Sequence, residues 1–362
     1  MRTVPANDLL EFAKVVLIRL GVPEEDARIV SDVLIQADLR GIDSHGIARL
    51  RRYVKGLKEG YIKPEAEIKI IRETPVTATL DGGAGLGQLI SVKAMELAIK
   101  KARENFLGFV AVRNTNHFGI AGYYSMMALK EGMIGISTTN SEVCIVPTFG
   151  ARAMLGTNPI SIAVPALKER PFVLDMATST VPVGKIEVYD RLGKSLPEGW
   201  AVDEYGENAR DPARVIENVY GHKGGGLLPL GGLEEESGGH KGYGLALVVE
   251  IFSALLPGAL YSELVYPVDE EGRPLPPNIG HFFGAMRIDA FRDPEEFRKD
   301  MDDLLRRLKN SPKRRGKERI YIHGEKEMEM VRLREKEGIP LLDRVVRDLK
   351  DIARDLGIVP PF

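Results

Sequence analysis

The hydrophobic pattern changes period twice along the chain, and this change most constrains the fold. In residues 5–60 apolar side chains recur at helical spacing, and helices are predicted over Ala6–Leu20 and Glu24–Leu39. From Ile68 they alternate, which is typical of strands, and helical spacing returns near residue 290. We therefore predict an α/β fold with a helical domain built from residues 1–72 together with 290–362, and an α/β domain over residues 73–289.

A glycine-rich run, Asp81–Gln88, follows a predicted strand and precedes a predicted helix, where a Rossmann fold carries its dinucleotide fingerprint. The run does not fit, because the fingerprint needs a glycine three residues after its second one, and Gln88 stands there after Gly85. The next strand ends in Arg113 and Asn114 instead of the acid that holds a ribose hydroxyl. We interpret the run as a glycine-rich turn.

Residues 41–53 combine a helix start with reactive side chains. Asp43 or Ser44 is predicted to cap a helix on which His45 and Arg49 lie one turn apart and share a face. The positive end of the helix dipole would keep the imidazole neutral, and the guanidinium matches a carboxylate. Together they could hold a 2-oxo acid, the arginine on the carboxylate and the histidine on the keto oxygen. The alternative is a capped surface helix with scattered charges.

A second histidine, His117, stands where a predicted strand passes into a helix, which is where open α/β sheets place their ligands. Polar or small residues also border three further predicted strands, at residues 138–141, 156–159 and 175–179. We expect these three loops to line a single cleft. Ordinary turn chemistry, and a purely structural role for His117, are the alternatives.

The sequence Gly-His-Lys-Gly occurs twice, at residues 221–224 and 239–242. Only the second copy runs directly into a predicted apolar helix, Leu245–Leu256. Glycine amides and a lysine at a helix start make an anion site, so we expect phosphate at Lys241 and Gly242 and a loop at the first copy. The surrounding segment, residues 190–235, is predicted to be an exposed excursion that carries Trp200.

Composition excludes several classes of function. The net charge of −2 argues against a nucleic-acid partner, and no apolar run reaches the roughly 18 residues that a membrane span needs. A single cysteine, Cys144, leaves no internal disulfide and no cysteine-based metal site, so we expect a cytoplasmic protein without a metal. Charged residues make up 28% and glutamine occurs only at Gln36 and Gln88, which favours a heat-adapted source.

Six motifs follow one another in order: Asp43-Ser44-His45-Gly46 with Arg49, Asn116-His117-Phe118-Gly119, Gly156-Thr157-Asn158-Pro159, Asp175-Met176-Ala177-Thr178-Ser179, His240-Lys241-Gly242-Tyr243-Gly244 and Gly324-Glu325-Lys326-Glu327. Together they resemble the type 2 malate/L-lactate dehydrogenase family over nearly the whole chain. The resemblance implies an NAD- or NADP-dependent homodimer. It also implies a dinucleotide-binding α/β domain with a mixed sheet that is not a Rossmann fold, in agreement with the failed fingerprint.

The resemblance carries over to particular residues of this chain. It places substrate at Ser44, His45, Arg49, His117 and Thr157, and cofactor at Ser141, Asp175, Met176, Ala177, Lys241, Gly242, Gly324, Glu325 and Lys326. Family members use either histidine as proton donor or acceptor, and we prefer His45 because Ser44 and Arg49 flank it. Lys185 is a further catalytic candidate, since the family's imine reductases have an acid at that position.

We therefore expect reversible hydride transfer between a nicotinamide and a small 2-hydroxy or 2-oxo acid, with malate and oxaloacetate as the first choice. The alternatives within the family are an L-lactate, sulfolactate or diketo-sugar-acid oxidoreductase and a cyclic imine reductase. Lys185 argues against an imine, because a cation would repel its protonated form. A scaffold that binds the cofactor without chemistry is the alternative from another class.

Overall fold

The computed structural model describes residues 2–362, and these contain eleven α-helices and thirteen strands. The helices are α1 Ala6–Arg19, α2 Glu24–Leu39, α3 Leu50–Lys58, α4 Gly87–Asn105, α5 Ala121–Met127, α6 Val183–Arg191, α7 Pro212–Gly221, α8 Gly239–Glu250, α9 Pro294–Asn310, α10 Glu325–Glu337 and α11 Asp343–Leu356. The strands are β1 Arg2–Val4, β2 Lys69–Glu73, β3 Thr77–Gly85, β4 Leu107–Thr115, β5 Ile134–Thr139, β6 Val143–Ile145, β7 Leu155–Gly156, β8 Ile160–Val164, β9 Phe172–Met176, β10 Ala201–Val202, β11 Gly226–Leu227, β12 Ile279–Met286 and β13 Ile339–Leu341.

The two ends of the chain share one hydrophobic core. Leucine, valine and phenylalanine side chains from α1 and α2 pack with Leu349 and Ile352 of α11, and β1 pairs antiparallel with β13. The helical pattern expected after residue 290 is interrupted at Ile339–Leu341, which is strand β13, and α11 begins at Asp343. The first strand of the large sheet, β2, spans the predicted boundary at residue 72. The domain boundaries stay a prediction.

The central layer is a seven-stranded sheet in the order β2-β3-β4-β12-β5-β8-β9. Within residues 2–362, only β3 and β4 pair in parallel in this sheet, joined by α4, and all its other neighbours are antiparallel. The predicted mixed α/β class is therefore confirmed, since a doubly wound Rossmann sheet is mostly parallel. Helices α4 and α5 cover one face of the sheet with a core of alanine, valine and aromatic side chains.

The glycine-rich run is not a turn, as the sequence suggested, but the end of a strand. Strand β3 continues through Gly82 and Gly83 to Gly85, with an irregular register after Asp81. Helix α4 then starts at Gly87, where a side chain would collide with the backbone oxygen of Asn116. The glycines therefore let β3 and α4 pass close to the next loop.

The segment predicted as an exposed excursion instead folds around a small core of its own. A four-stranded sheet in the order β10-β11-β6-β7 packs with α6 and α7. Trp200 is partly buried there, with its ring centroid 4.9 Å from that of Tyr189. The first Gly-His-Lys-Gly copy starts at the last residue of α7 and forms the short loop that leads to β11, where Gly226 pairs with Val202.

Two kinds of feature are absent from the part of the chain that the structure describes. No helix in residues 2–362 is both long enough and apolar enough to cross a membrane. In the same residues, no three His, Cys, Asp or Glu side chains are grouped so that they could hold a metal ion.

Candidate active site

The turn that carries Ser44 and His45 precedes the helix instead of forming its first turn. A single 3-10 turn, Ile47–Arg49, leads into α3. The predicted caps Asp43 and Ser44 are wrong: the buried carboxylate of Asp38 accepts the Ile47 amide at 2.7 Å, and Asp43 pairs with Arg334. Asp38 lies so close to Gly46 that any side chain there would collide with it. The backbone conformation of this turn therefore depends on α2.

The structure brings the two predicted histidines together. The rings of His45 and His117 are stacked, with their centroids 5.5 Å apart. Ser44 Oγ lies 2.8 Å from Nδ1 of His45, which holds that ring from one side. His45 lies in the turn before α3, and His117 follows the C-terminal end of β4. The pair therefore joins the helical part of the fold to the end of a sheet strand.

The hydrogen bonds around His117 decide its tautomer. The Gly119 amide donates to Nδ1 of His117 at 3.3 Å, and Tyr53 Oη lies 2.8 Å from the same nitrogen. A backbone amide can only donate, so Nδ1 must be an acceptor and the neutral ring carries its proton on Nε2. No such constraint acts on His45, because a serine hydroxyl can donate or accept.

Both imidazoles favour the neutral form. Burial, with smaller effects from Arg49 and Arg52, lowers the pKa of His45 to about 4. Burial and the charge of Arg52 lower the pKa of His117 well below its ordinary value. The sequence analysis expected a neutral His45 because of the helix dipole; the ring is neutral, but desolvation is the main reason.

Arg49 ends the 3-10 turn beside the histidine pair. Its Nε donates to the carbonyl of Ser44 at 2.6 Å, which leaves the end of the guanidinium for another acceptor. Within residues 2–362, no carboxylate lies at ion-pair distance from Arg49. An unpaired guanidinium next to two neutral imidazoles suits a carboxylate ligand.

The polar loops after β5, β7 and β9 meet as the sequence analysis expected of a single cleft. Ser141 Oγ accepts the Thr157 amide at 3.1 Å, and the Thr178 amide donates to the Thr157 carbonyl at 2.8 Å. Behind them the buried carboxylate of Glu250 accepts from Asn158 at 2.6 Å. Helix α8 therefore anchors the loops that present Ser141 and Thr157.

A cavity of about 300 Å³ is bordered by Ile120 and Gly122, which follow His117 in the chain. Three predicted cofactor residues line it, namely Asp175, Gly324 and Lys326. The Asp175 carboxylate accepts the Gly122 amide at 2.7 Å, and burial raises its pKa to about 6. Glu325, another predicted cofactor residue, is instead buried beside the cavity and paired with Lys309 and Arg319.

The remaining predicted residues lie at other places. Met176 and Ala177 follow Asp175 at the end of β9, and Lys241 and Gly242 lie in the first turn of α8, which begins six residues earlier than predicted. Lys185 is exposed on α6, with its ammonium 4.7 Å from the centroid of the Trp200 ring.

Sequence reasoning missed two arginines. Arg52 lies in the same motif as Arg49, three residues further on, and that helical spacing would have shown it. Arg40 lines the cavity at the end of α2, although nothing in its sequence context distinguishes it from a surface arginine.

Comparison with known proteins identifies the family. Residues 4–350 match the malate/L-lactate dehydrogenase family. The chain belongs to this family. The predicted membership is thereby confirmed, and with it the coarser class of enzyme, a dehydrogenase that acts on a CH–OH group and implies a nicotinamide cofactor.

Individual relatives agree over almost their full length. A malate dehydrogenase from Pyrococcus abyssi is 51% identical over 98% of this chain and 95% of its own. An L-sulfolactate dehydrogenase from Methanocaldococcus jannaschii is 44% identical over 95% of this chain and 94% of its own. The crystal structure of malate dehydrogenase from Entamoeba histolytica superimposes with a TM-score of 0.93 at 41% identity, covering 100% of this chain and 99% of that one.

Proposed function

We propose that the protein transfers a hydride reversibly between a nicotinamide cofactor and a 2-hydroxy acid, with (S)-malate and oxaloacetate as the substrate pair. One observation carries the proposal: two neutral, stacked histidines lie beside an arginine that has no carboxylate partner in the described chain. The malate dehydrogenase named above, at 51% identity, supports the choice of malate.

Arg49 and the two histidines have different tasks in this proposal. Arg49 binds the C1 carboxylate, because a guanidinium fork matches two carboxylate oxygens. His45 takes the hydroxyl proton of malate, since Nδ1–H can donate to Ser44 and leave a lone pair on Nε2. His117 has no free lone pair in its neutral tautomer, so its Nε2–H instead donates a hydrogen bond to the same substrate oxygen.

The cavity beside Asp175 suits part of the cofactor. It has the volume of a small-ligand site and presents a carboxylate and a lysine. It also presents Gly324, where any side chain would crowd Val173. When bound, the nicotinamide supplies the hydride acceptor at C4. In this proposal Asp175, Gly324 and Lys326 hold one end of the cofactor and Lys241 with Gly242 holds phosphate. The roles of Ser141, Thr157, Met176, Ala177, Glu325 and Lys185 stay predictions.

We further propose a homodimer in the cytoplasm. Helix α8, the π-helical turn Ile251–Leu255 and the residue after it expose seven large apolar side chains: Leu245, Leu247, Val248, Ile251, Phe252, Leu255 and Leu256. Contiguous apolar patches of this kind mark interfaces, and a second copy of the chain is the partner expected in this family. The single, buried cysteine is compatible with a reducing compartment.

A screen of 2-oxo acids tests the function directly. Oxaloacetate, pyruvate and a cyclic imino acid are each offered with NADH and with NADPH, and loss of the nicotinamide absorbance is followed. We expect oxaloacetate to be reduced best, and the comparison of the two cofactors decides between NAD and NADP. Quenching of Trp200 by NADH without turnover on any acid would support the scaffold. A higher kcat/KM for the imino acid would contradict the malate assignment.

A further inference from the structure

Arg52 is a second cation beside the histidine pair. It lies on α3, three residues after Arg49 and next to Tyr53, whose hydroxyl contacts His117. The side chain is mostly buried, and its Nη2 donates to Tyr266 Oη at 2.6 Å while the guanidinium lies 5.8 Å from the centroid of the Tyr266 ring. Tyr266 therefore orients the guanidinium from one side.

The charge of Arg52 has no anionic partner. Within residues 2–362, no carboxylate lies at ion-pair distance from it, and the exposed Glu142 acts on it only from further away. The adjacent Arg51 differs, since it is exposed and paired with Asp348. Burying a cation without an anion is unfavourable, so Arg52 in the free protein is arranged to receive one.

The spacing of the two arginines suits a small dianion. Residues three apart on successive helical turns have their Cβ atoms about 5–6 Å from each other. A 2-oxo acid whose second anionic group is two carbons from the first is short enough to reach both guanidinium groups. Lys185, which the sequence analysis named as a further catalytic candidate, is a cation that could bind the second group instead, but its ammonium lies over the ring of Trp200.

We infer that Arg52 binds a second anionic group of the substrate, a carboxylate or a sulfonate, and so selects dianionic 2-hydroxy and 2-oxo acids over monocarboxylic ones. This inference rests on the proposed function, in which Arg49 holds the C1 carboxylate. The residue contacts substrate away from the reacting atoms. Its loss should therefore change the choice of substrate more than the chemistry.

The test compares oxaloacetate, sulfopyruvate and pyruvate as substrates of the full-length protein with saturating reduced cofactor. In Arg52→Gln, kcat/KM for a dianionic acid should fall by about 30-fold or more, the usual effect of removing one member of a buried charge pair. The value for pyruvate should change little. Arg51→Gln is the matched control and should leave all three values near wild type, while Arg49→Gln should lower all three.

The outcomes separate the two proposals. A fall for oxaloacetate alone assigns a carboxylate to Arg52, and a fall for sulfopyruvate alone assigns a sulfonate. An unchanged ratio of dianion to pyruvate in active Arg52→Gln overturns the inference, as does a ratio that collapses only in Lys185→Gln. A wild type that reduces none of the acids overturns the proposed function and the role of Arg52 together.

A second variant covers the case in which Arg52→Gln does not fold. Tyr266→Phe removes only the hydroxyl that orients the guanidinium. It should lower the ratio of oxaloacetate to pyruvate in the same direction, while cofactor binding stays intact. A ratio equal to that of the wild type in Tyr266→Phe, together with loss of folding in Arg52→Gln, would show that Arg52 is structural and overturn the inference.

Discussion

At the scale of single residues, the backbone amide of Gly119 determines how the two histidines can divide their work. By donating to Nδ1 of His117 it places the proton of that ring on Nε2, whereas the neighbour of His45 is a hydroxyl that can turn. In the proposed mechanism one imidazole is therefore a hydrogen-bond donor and the other a proton acceptor. The difference depends on what each Nδ1 contacts and not on the side chains themselves.

We predict that His45→Gln lowers turnover of malate by about 100-fold or more, as expected for loss of a general base, while NADH still binds. His117→Gln should cost less, because an amide can still donate to the substrate oxygen. Steady-state rates and NADH titrations on both variants provide the measurement. Near-normal turnover in His45→Gln, with collapse in His117→Gln, would reverse the assignment.

We also predict that the free protein has an imidazole with a pKa of about 4 whose NMR signal disappears in His45→Gln. The unfolded chain titrates near 6.5, so between these values it binds more protons than the folded chain, and the free energy of unfolding falls as pH is lowered from 6.5 to 4. Arg49→Gln should raise this pKa only in part, since burial is the larger cause. Titration of ¹³C-labelled histidine measures both, and a pKa near 6.5 would contradict the burial of this ring.

At the scale of elements, helix α8 serves the site at both ends. Its first turn starts after Gly238, which has a left-handed φ of 90°, and contains Lys241, whose amide donates to the Gly238 carbonyl at 3.0 Å. The positive end of the helix dipole and the lysine charge favour an anion there. A side chain at Gly242 would collide with the backbone of Leu230, so the helix start packs closely against that segment. At its other end Glu250 holds Asn158 and, through it, the Thr157 loop.

We predict that Lys241→Ala raises the dissociation constant of NADH by at least about tenfold, since a charge-assisted bond to phosphate contributes about 1.5–3 kcal/mol. Lys223→Ala is the matched control from the first Gly-His-Lys-Gly copy, where the lysine pairs with Glu217 at 2.5 Å. Fluorescence titration compares the two. Weaker NADH binding in Gly85→Ala at unchanged stability, with normal binding in Lys241→Ala, would instead indicate that the cofactor binds at the glycines of β3.

At the scale of the whole molecule, the groups of the candidate site come from separate parts of the fold. The histidine turn belongs to the helical layer, the Ser141 and Thr157 loops to the sheet, and the Glu250 anchor to a helix with an exposed apolar face. A second copy of the chain that covered this face would also hold Glu250 in position. Assembly and activity should therefore be linked.

We predict a dimer in dilute solution that Leu256→Lys shifts toward monomer, because a charge would replace a side chain that is 58% exposed in the single chain and that the proposed dimer would cover. Val359→Lys is the control, at a residue that is 86% exposed and lies near the end of the chain. Sedimentation velocity gives the mass and a coupled assay the activity. A fully active monomeric wild type would contradict both the dimer and its link to the site.

Much of the local structure could be predicted from the sequence. Helix α2 has the bounds Glu24–Leu39 expected from its apolar spacing, and α1 begins at Ala6 as predicted and ends one residue before the predicted Leu20. The family followed from short motifs, and the exclusion of a Rossmann sheet followed from the glycine that the fingerprint requires and that Gln88 replaces. These features depend on neighbours within a few residues, which a single sequence contains.

Only the tertiary structure decided how the site works. The cap of the histidine turn comes from Asp38 on the preceding helix and not from Asp43 or Ser44, and the carboxylate of Glu325 is paired with Lys309 and Arg319. The contact of Tyr53 with His117 and that of Tyr266 with Arg52 likewise join groups that lie far apart in the sequence. The sequence by itself determined which reactive groups the protein has and which elements carry them. Their pairing, burial and protonation were decided by packing, because these properties depend on distances between residues that the chain brings together only when it folds.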